Sequence, residues 1–292
     1  MRILFLTCLL FSIDWNLYAQ PASTEIYLVN IKSKDGKITC DTPVNITKHD
    51  GYDNQPEFSP DGKKILYVSM PDTNQSDIFE YLISDSTTYQ LTATSESEYS
   101  PRFTPDKMHV TFVRVDADKG QRLYYSDEEF SESQDLLYGL DSIGYYSWIN
   151  DSVIALASLH NGLELYIYEL KSGQFIAPQK GIGRCMLKIP GTADLMYTKK
   201  SGDKIKLIRY SVLYETSTDF CEGLGDVEDY TFTPDGVLLA GKDGKLFSCK
   251  PGEDAIWKEV ADFSKSAGSF YRMTVSPDGK RLAMVAFKGK RP

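Results

Sequence analysis

The sequence predicts an all-β chain, a six-bladed β-propeller closed by N-terminal outer strands pairing with C-terminal inner strands. Three observations predict it. A turn motif recurs at blade spacing, the same succession of strand patterns follows each copy, and the two ends of the chain carry complementary halves of one repeat.

The turn motif appears in full as Phe58-Ser59-Pro60-Asp61-Gly62, Phe232-Thr233-Pro234-Asp235-Gly236 and Val275-Ser276-Pro277-Asp278-Gly279, and without its glycine as Phe103-Thr104-Pro105-Asp106. Two worn copies, Trp148-Ile149-Asn150-Asp151 and Lys188-Ile189-Pro190-Gly191, fill the gap between the copies at 103–106 and 232–236. From Pro60 to Pro105, Asn150, Pro190, Pro234 and Pro277 the steps are 45, 45, 40, 44 and 43 residues. Proline presets φ for a turn, aspartate bonds to nearby backbone and glycine accepts positive φ, so each copy marks a tight reversal between two strands.

After each anchor comes a compact apolar run, as in Ile65-Leu66-Tyr67-Val68, Val110-Thr111-Phe112-Val113 and Leu282-Ala283-Met284-Val285, suited to a strand buried on both faces. An alternating run follows, as in Asp77-Ile78-Phe79-Glu80-Tyr81-Leu82 and Glu164-Leu165-Tyr166-Ile167-Tyr168-Glu169. Its period of two fits a half-exposed strand nearer the rim of a blade. A weaker fourth strand, such as Tyr89-Gln90-Leu91-Thr92, leads to the next repeat.

The ends decide how the ring closes. Residues 25–31 alternate like a third strand, Val44-Asn45-Ile46-Thr47 reads as a fourth, and the chain stops soon after the second-strand run 282–286. The last blade is therefore expected to take its inner strands from the C-terminus and its outer strands from the N-terminus, which leaves no unpaired sheet edge. The propeller is assigned to residues 24–292 as one domain.

These repeats resemble the Pro-Asp-Gly propeller repeat of the TolB-like, WD40-like (PD40) family, shared by the periplasmic protein TolB and by the propeller domains of prolyl-oligopeptidase-type peptidases. Residues 52–65, from Tyr52 through Pro60-Asp61-Gly62 to Ile65, are the nearest copy. The resemblance implies fold over essentially the whole mature chain, while function has to be argued from a site. It implies the propeller alone: the first strand is expected soon after Ala19, and no Gly-x-Ser-x-Gly elbow of a hydrolase domain occurs.

Bulk properties narrow the function. The 292 residues are 41% hydrophobic and carry a formal net charge of −9, which opposes binding to nucleic acid, where cationic side chains must replace condensed counterions. Arg2, an apolar stretch from Ile3 to Ile13 and the small Ala19 read as a cleavable signal peptide over residues 1–19. That stretch is too short to span a bilayer, so no integral membrane segment is expected after its removal. The chain is expected to be periplasmic or secreted. Cys8 leaves with the leader; Cys40, Cys185, Cys221 and Cys249 form no C-x-x-C pair, and their spacing leaves disulfides and free thiols both open.

With the turns on one face, the loops leading into each first strand surround the opposite mouth of a central channel. The residues expected there include Asp53, Glu98, Tyr145, Arg184, Glu228 and Arg272. In this acidic and aromatic ring the two arginines either grip a carboxylate of a ligand or pair internally with Glu228 or Asp229. His49, His109 and His160 are too dispersed to converge, so no metal and no cofactor are expected. Asp116-Ala117-Asp118-Lys119-Gly120 opens like a calcium loop but lacks its later glycine and glutamate, and reads as a hairpin turn.

The sequence reading is a non-catalytic binding propeller whose partner is an envelope protein, peptide or glycan, with no catalytic residue assigned. Two alternatives stay open. One is a carbohydrate-active hydrolase or lyase using channel-mouth carboxylates such as Glu98 and Glu228. The other is a structural spacer in an envelope complex.

Overall fold

A computed structural model describes residues 22–289, apart from 35–36, 72–74 and 253–254. The leader read at residues 1–19 and the last three residues of the assigned domain lie outside that range. Every regular element among the described residues is a β-strand, and no helix there is long and apolar enough to cross a membrane.

The repeated turn is built as its chemistry demands. In the first copy the Gly62 N–H donates to the Ser59 carbonyl at 2.8 Å, with Gly62 at φ 70°. The Ser59 hydroxyl donates to Asp61 at 2.6 Å and accepts the N–H groups of Lys63 and Lys64 at 3.2 and 3.0 Å. Ser276 and Asp278 repeat this arrangement. In the copy without glycine, Thr104 and Asp106 do the same work and Lys107 adopts φ 65°. Each turn folds an inner strand antiparallel onto the apolar strand that follows it.

Four sheets have four strands each, meandering in chain order within residues 97–135, 143–180, 182–222 and 230–262. The remaining nine strands fall into two groups joined by a single parallel pair, Thr24 with Tyr52. One group is Tyr52–Phe58, Lys64–Met70, Asp77–Leu82 and Thr87–Gln90. The other joins the two ends of the chain: Arg281–Phe287 pairs on one side with Phe270–Val275 and on the other with Thr24–Lys34, in register from Thr24↔Phe287 to Asn30↔Arg281.

The outermost strand of that last group differs from the sequence reading. It is split into Lys37–Cys40, paired with residues 31–34, and Val44–Asn45, paired with Tyr27 and Leu28. Pro43, which has no N–H to donate, stands in the break. The alternation at Lys37-Ile38-Thr39-Cys40, with Ile38 buried, marked the missed strand.

The core lies between sheets. The run Ile65-Leu66-Tyr67-Val68 is no more than 1% exposed anywhere, because a second strand has a neighbouring sheet on each face. Ile149, Ala155 and Ile167 of one sheet meet Leu195, Tyr197 and Tyr210 of the next. Ile26, Ala283 and Val285 of the joined ends meet Phe58, Ile65 and Tyr67. Each such side chain fully buried stabilises the fold by about 1.5–3 kcal/mol.

Candidate binding site in the central cavity

The inner strands converge on one cavity of about 100 Å³, room for a few waters or the tip of one ligand side chain. Five positions before each turn anchor stand Gln55, Ser100, Tyr145, Cys185, Asp229 and Arg272, and all of them line it. Three positions before the anchor, Glu57, Arg102, Leu187, Thr231 and Thr274 form a second layer. The layering depends on bulges. Register shifts interrupt the inner strands at Asn54/Glu57, Tyr99/Arg102 and Phe270/Met273, and Gln55 and Ser100 hold φ 55° and 53°. A bulge bends the strand and re-aims its side chains, here toward the axis. The Gln55 side chain also accepts the Ser100 N–H at 2.7 Å, tying two bulged strands together.

Around this cavity the charges are paired in a specific pattern. Arg184 donates through Nε to Asp229 Oδ1 at 3.1 Å and through Nη2 to Asp229 Oδ2. Glu228 stands 3.7 Å from Arg184, with its other oxygen 3.5 Å from Lys200. Arg272 donates to Asn54 at 2.8 Å and lies 3.8 Å from Asp229. Asn54 also donates to the Tyr271 hydroxyl, and both arginines stand over the Tyr271 ring at 5.7 and 5.9 Å from its centroid. Burial works against the charge of each arginine, and the surrounding groups, Asp229 foremost among them, together outweigh it. Tyr52 adds a hydroxyl whose ionisation is suppressed by burial, with Arg272 opposing that and Tyr271, Tyr99 and Tyr145 reinforcing it. Two of these phenols, Tyr52 and Tyr271, also act on Arg272.

The deeper layer is less paired. Burial pushes the Glu57 carboxyl up, with Arg102 pulling it back. The Arg102 guanidinium stands 5.8 Å from the Tyr146 ring centroid, and no ion pair joins it to any described residue. Tyr146 is held by a hydrogen bond from its hydroxyl to the Thr111 carbonyl at 2.6 Å. With Asp229 engaged and Glu57 shifted toward its neutral form, Arg102 leaves a positive bias in the cavity.

Of the residues read from the sequence, Tyr145, Arg184 and Arg272 come together on the cavity and Glu228 joins them through Arg184. Asp53 and Glu98 are placed elsewhere, 0% and 1% exposed. They occupy the position seven before the anchor, where other inner strands carry the buried Ile143 and Phe270. At that phase the side chain points between sheets. Asp53 accepts from Ser69 at 2.7 Å and Glu98 from Thr92 and Thr94 at 3.1 and 2.5 Å. Sequence reasoning placed Tyr146 at the mouth beside Tyr145 and missed Glu57, Arg102 and Tyr52. Counting back to the loops passed over the strand itself, and the Gln-Pro and Ser-Pro steps at 55–56 and 100–101 were the available signal for a bulge.

The histidines are engaged separately: His49 lies 3.3 Å from Asp53, His109 lies 3.7 Å from Asp106, and His160 lines a different, largely apolar pocket. Among the described residues no group of three or more His, Cys, Asp or Glu side chains is arranged to hold a metal ion. The Asp116–Gly120 segment is a hairpin turn whose carboxylates are occupied by arginines: Arg114 and Arg122 reach Asp116 at 2.6 and 2.7 Å, and Arg122 reaches Asp118 at 2.7 Å.

No family model matches the chain, and no curated protein matches it by sequence. Solved structures do match. A protein of Agrobacterium tumefaciens described as a TolB superposes with a TM-score of 0.70 at 12% identity, over 92% of this chain and 100% of that one. The fold is a TolB-like β-propeller. TolB from Acinetobacter baumannii matches with a TM-score of 0.57 at 14% identity, over 93% of this chain and 66% of that one. An oligogalacturonate lyase in complex with manganese also matches at 0.57 and 13% identity, over 93% and 95%. At such identities the likeness establishes the propeller and leaves its chemistry to the residues of the cavity.

Proposed function

We propose that this chain is an exported six-bladed propeller that binds a partner by inserting an acidic side chain or chain end of that partner into the central cavity, without catalysing a reaction. The sheet pairings support six blades: four separate four-stranded sheets, plus the two groups joined at Thr24 and Tyr52, one of which takes strands from both ends of the chain. The observation that carries the binding reading is the contrast between Arg184, engaged twice by Asp229, and Arg102, a cavity-lining guanidinium with no ion-pair partner among the described residues. A carboxylate offered by a partner finds the second, with the phenol ring of Tyr146 below it and Arg272 on the neighbouring layer. Guanidinium and carboxylate match as a two-point fork, and a cavity wall of low dielectric strengthens the pair.

The glycosidase alternative has less to draw on. Glu98 is buried and hydrogen-bonded outside the cavity lining, and Glu228 is engaged by Arg184 and Lys200 at 3.7 and 3.5 Å, so the two carboxylates do not face one another across the cavity.

A photo-crosslinking residue placed at Tyr145 on the cavity, with one at Asp235 on the turn face as control, tests the proposal in extracts of the cell envelope. The expected result is one species crosslinked from position 145 only, lost in Arg102→Ala while the melting transition is unchanged. Crosslinking from position 235 alone, or capture that Arg102→Ala leaves intact, overturns it.

A further inference from the structure

We propose that Cys221 and Cys249 are a disulfide-forming pair, a modification site that staples the outermost strand of one sheet to the sheet beside it. Cys221 lies in Thr216–Glu222, the last strand of its sheet, and Cys249 ends Lys245–Cys249, the third strand of the next. Both belong to the same apolar cluster between those sheets, with Leu207, Leu238 and Trp257. The segment after Cys221 is anchored to the facing sheet at two points. The Trp257 indole donates to the Glu222 carbonyl at 3.0 Å, and the Leu224 N–H donates to the Tyr230 hydroxyl at 3.0 Å. Held between these anchors, the Cys221 thiol stands near enough to Cys249, within that cluster, for each to perturb the other's ionisation, Cys221 raised and Cys249 lowered.

The other described cysteines differ. Cys185 is buried with its thiol directed at the Tyr230 carbonyl, 3.6 Å away, and Cys40 lies in the hairpin of the N-terminal strands. Position also gives the pair a purpose. The Thr216–Glu222 strand is the outer edge of its blade and its first four residues are exposed, which is where a sheet opens first. A covalent link at its end resists that opening.

The chemistry requires an oxidant, and a disulfide of the glutathione class supplies it. Cys249 is 2% exposed whereas Cys221 is partly exposed, so exchange begins at Cys221. Its sulfur bonds to one sulfur of the oxidant, the oxidant's S–S bond breaks, and the first thiolate leaves and takes the Cys221 proton. The Cys249 sulfur then attacks Cys221, releasing the second thiolate, which takes the Cys249 proton. Two protein thiols are oxidised and one disulfide is reduced to two thiols. The Cys221 thiol beside it eases ionisation of Cys249, with burial opposing and Lys258 assisting, as a resolving thiol needs.

The experiment exposes the purified native chain to glutathione disulfide, caps remaining thiols by alkylation, and maps unreduced peptides by mass spectrometry. The expected product links the peptides of Cys221 and Cys249, with Cys40 and Cys185 alkylated. In Cys249→Ser the reaction is expected to stop at a glutathione adduct on Cys221, and Cys221→Ser is expected to leave Cys249 unmodified. Wild-type protein that keeps both thiols alkylatable, or that stops at an adduct on Cys221 while Cys249 stays free, overturns the proposal.

Discussion

Arg184 grips Asp229 through two donors, across an interval of 45 residues that places the pair on two neighbouring sheets. Asp229 is also the nearest carboxylate to Arg272, at 3.8 Å. One acidic side chain thus holds two cations whose mutual repulsion in a partly buried cavity would otherwise be uncompensated. The internal pairing that the sequence left as one of two roles for Arg184 is the one it adopts with Asp229.

Replacing Asp229 by alanine should therefore cost stability beyond the loss of one contact. Removing one partner of a buried pair costs about 3–5 kcal/mol. Arg184 keeps 30% of its side-chain surface in water, so a loss of about 2 kcal/mol is expected in urea unfolding. Glu228→Gln, at a 3.7 Å contact and 29% exposure, should change stability by no more than about 0.5 kcal/mol. Equal effects of the two substitutions would mean that Asp229 is not the hub of this network.

Asp53 gives a pH dependence whose sign is fixed by its burial. Burial raises its pKa above the ordinary value of 3.8, with the Ser69 hydrogen bond and His49 opposing. The folded state therefore binds that proton more tightly than the unfolded chain. The resulting stabilisation is complete below the unfolded pKa, near 4, and is lost as pH rises through the folded value. Asp53→Asn removes this titration, so the stability of wild type relative to Asp53→Asn should fall as pH rises above about 4, with a slope no steeper than about 1.4 kcal/mol per pH unit. A difference that is flat with pH, or that grows, contradicts the assignment. The turn aspartates such as Asp61 and Asp278, held low chiefly by the hydroxyls of Ser59 and Ser276, titrate in both proteins and cancel.

The same residue shows how far the sequence could be read. The turn motif exposed the repeat because its chemistry is local: a proline, an aspartate and a glycine act on the few residues around them, and the strands between copies carry plain patterns. Pairing of the N-terminal strand with the C-terminal one followed from those patterns. The cavity was less legible. Side-chain phase along an inner strand is set by a bulge, and a bulge shifts every side chain before it relative to those after it. Asp53 and Glu98, read as mouth residues, lie on the far side of that shift and face the inter-sheet core, whereas Glu57 and Arg102, after it, face the axis. Tyr145, Arg184 and Arg272 sit at or beside the shift and line the cavity.

The turn serines are expected to be worth more than their size. Ser276 is 0% exposed, donates to Asp278 at 2.6 Å, and accepts the N–H groups of Lys280 and Arg281 at 3.2 and 2.9 Å. Ser276→Ala takes the side-chain acceptor from the Arg281 N–H, whereas the Lys280 N–H keeps Asp278 at 3.0 Å, and a cost of about 1 kcal/mol is expected. Ser59→Ala, with the same set of bonds at 3% exposure, should cost a similar amount. Denaturant midpoints of the two variants and of their double mutant check this. The two turns meet where Arg281 donates to the Gly62 carbonyl at 3.3 Å, so the double mutant is expected to depart from additivity.

Removing residues 24–47 tests whether the joined ends hold the propeller shut. The deletion strips Arg281–Phe287 of its partner from Thr24↔Phe287 to Asn30↔Arg281 and leaves that strand as an open edge. It also takes away Ile26, Val29 and Ile31, all at most 2% exposed. At about 1.5–3 kcal/mol for each such side chain, their loss alone is comparable to the whole stability of about 5–15 kcal/mol typical of a domain. The truncated chain is expected to lose its cooperative melting transition and to associate through the exposed edge, read by calorimetry and light scattering. Ile26→Ala keeps every backbone bond of the strand and should instead melt cooperatively, with a loss of about 2–4 kcal/mol. A truncated protein that stays monomeric and melts like wild type would show that the sheets hold their arrangement without the N-terminal strands, and that the pairing of the two ends follows the fold rather than maintaining it.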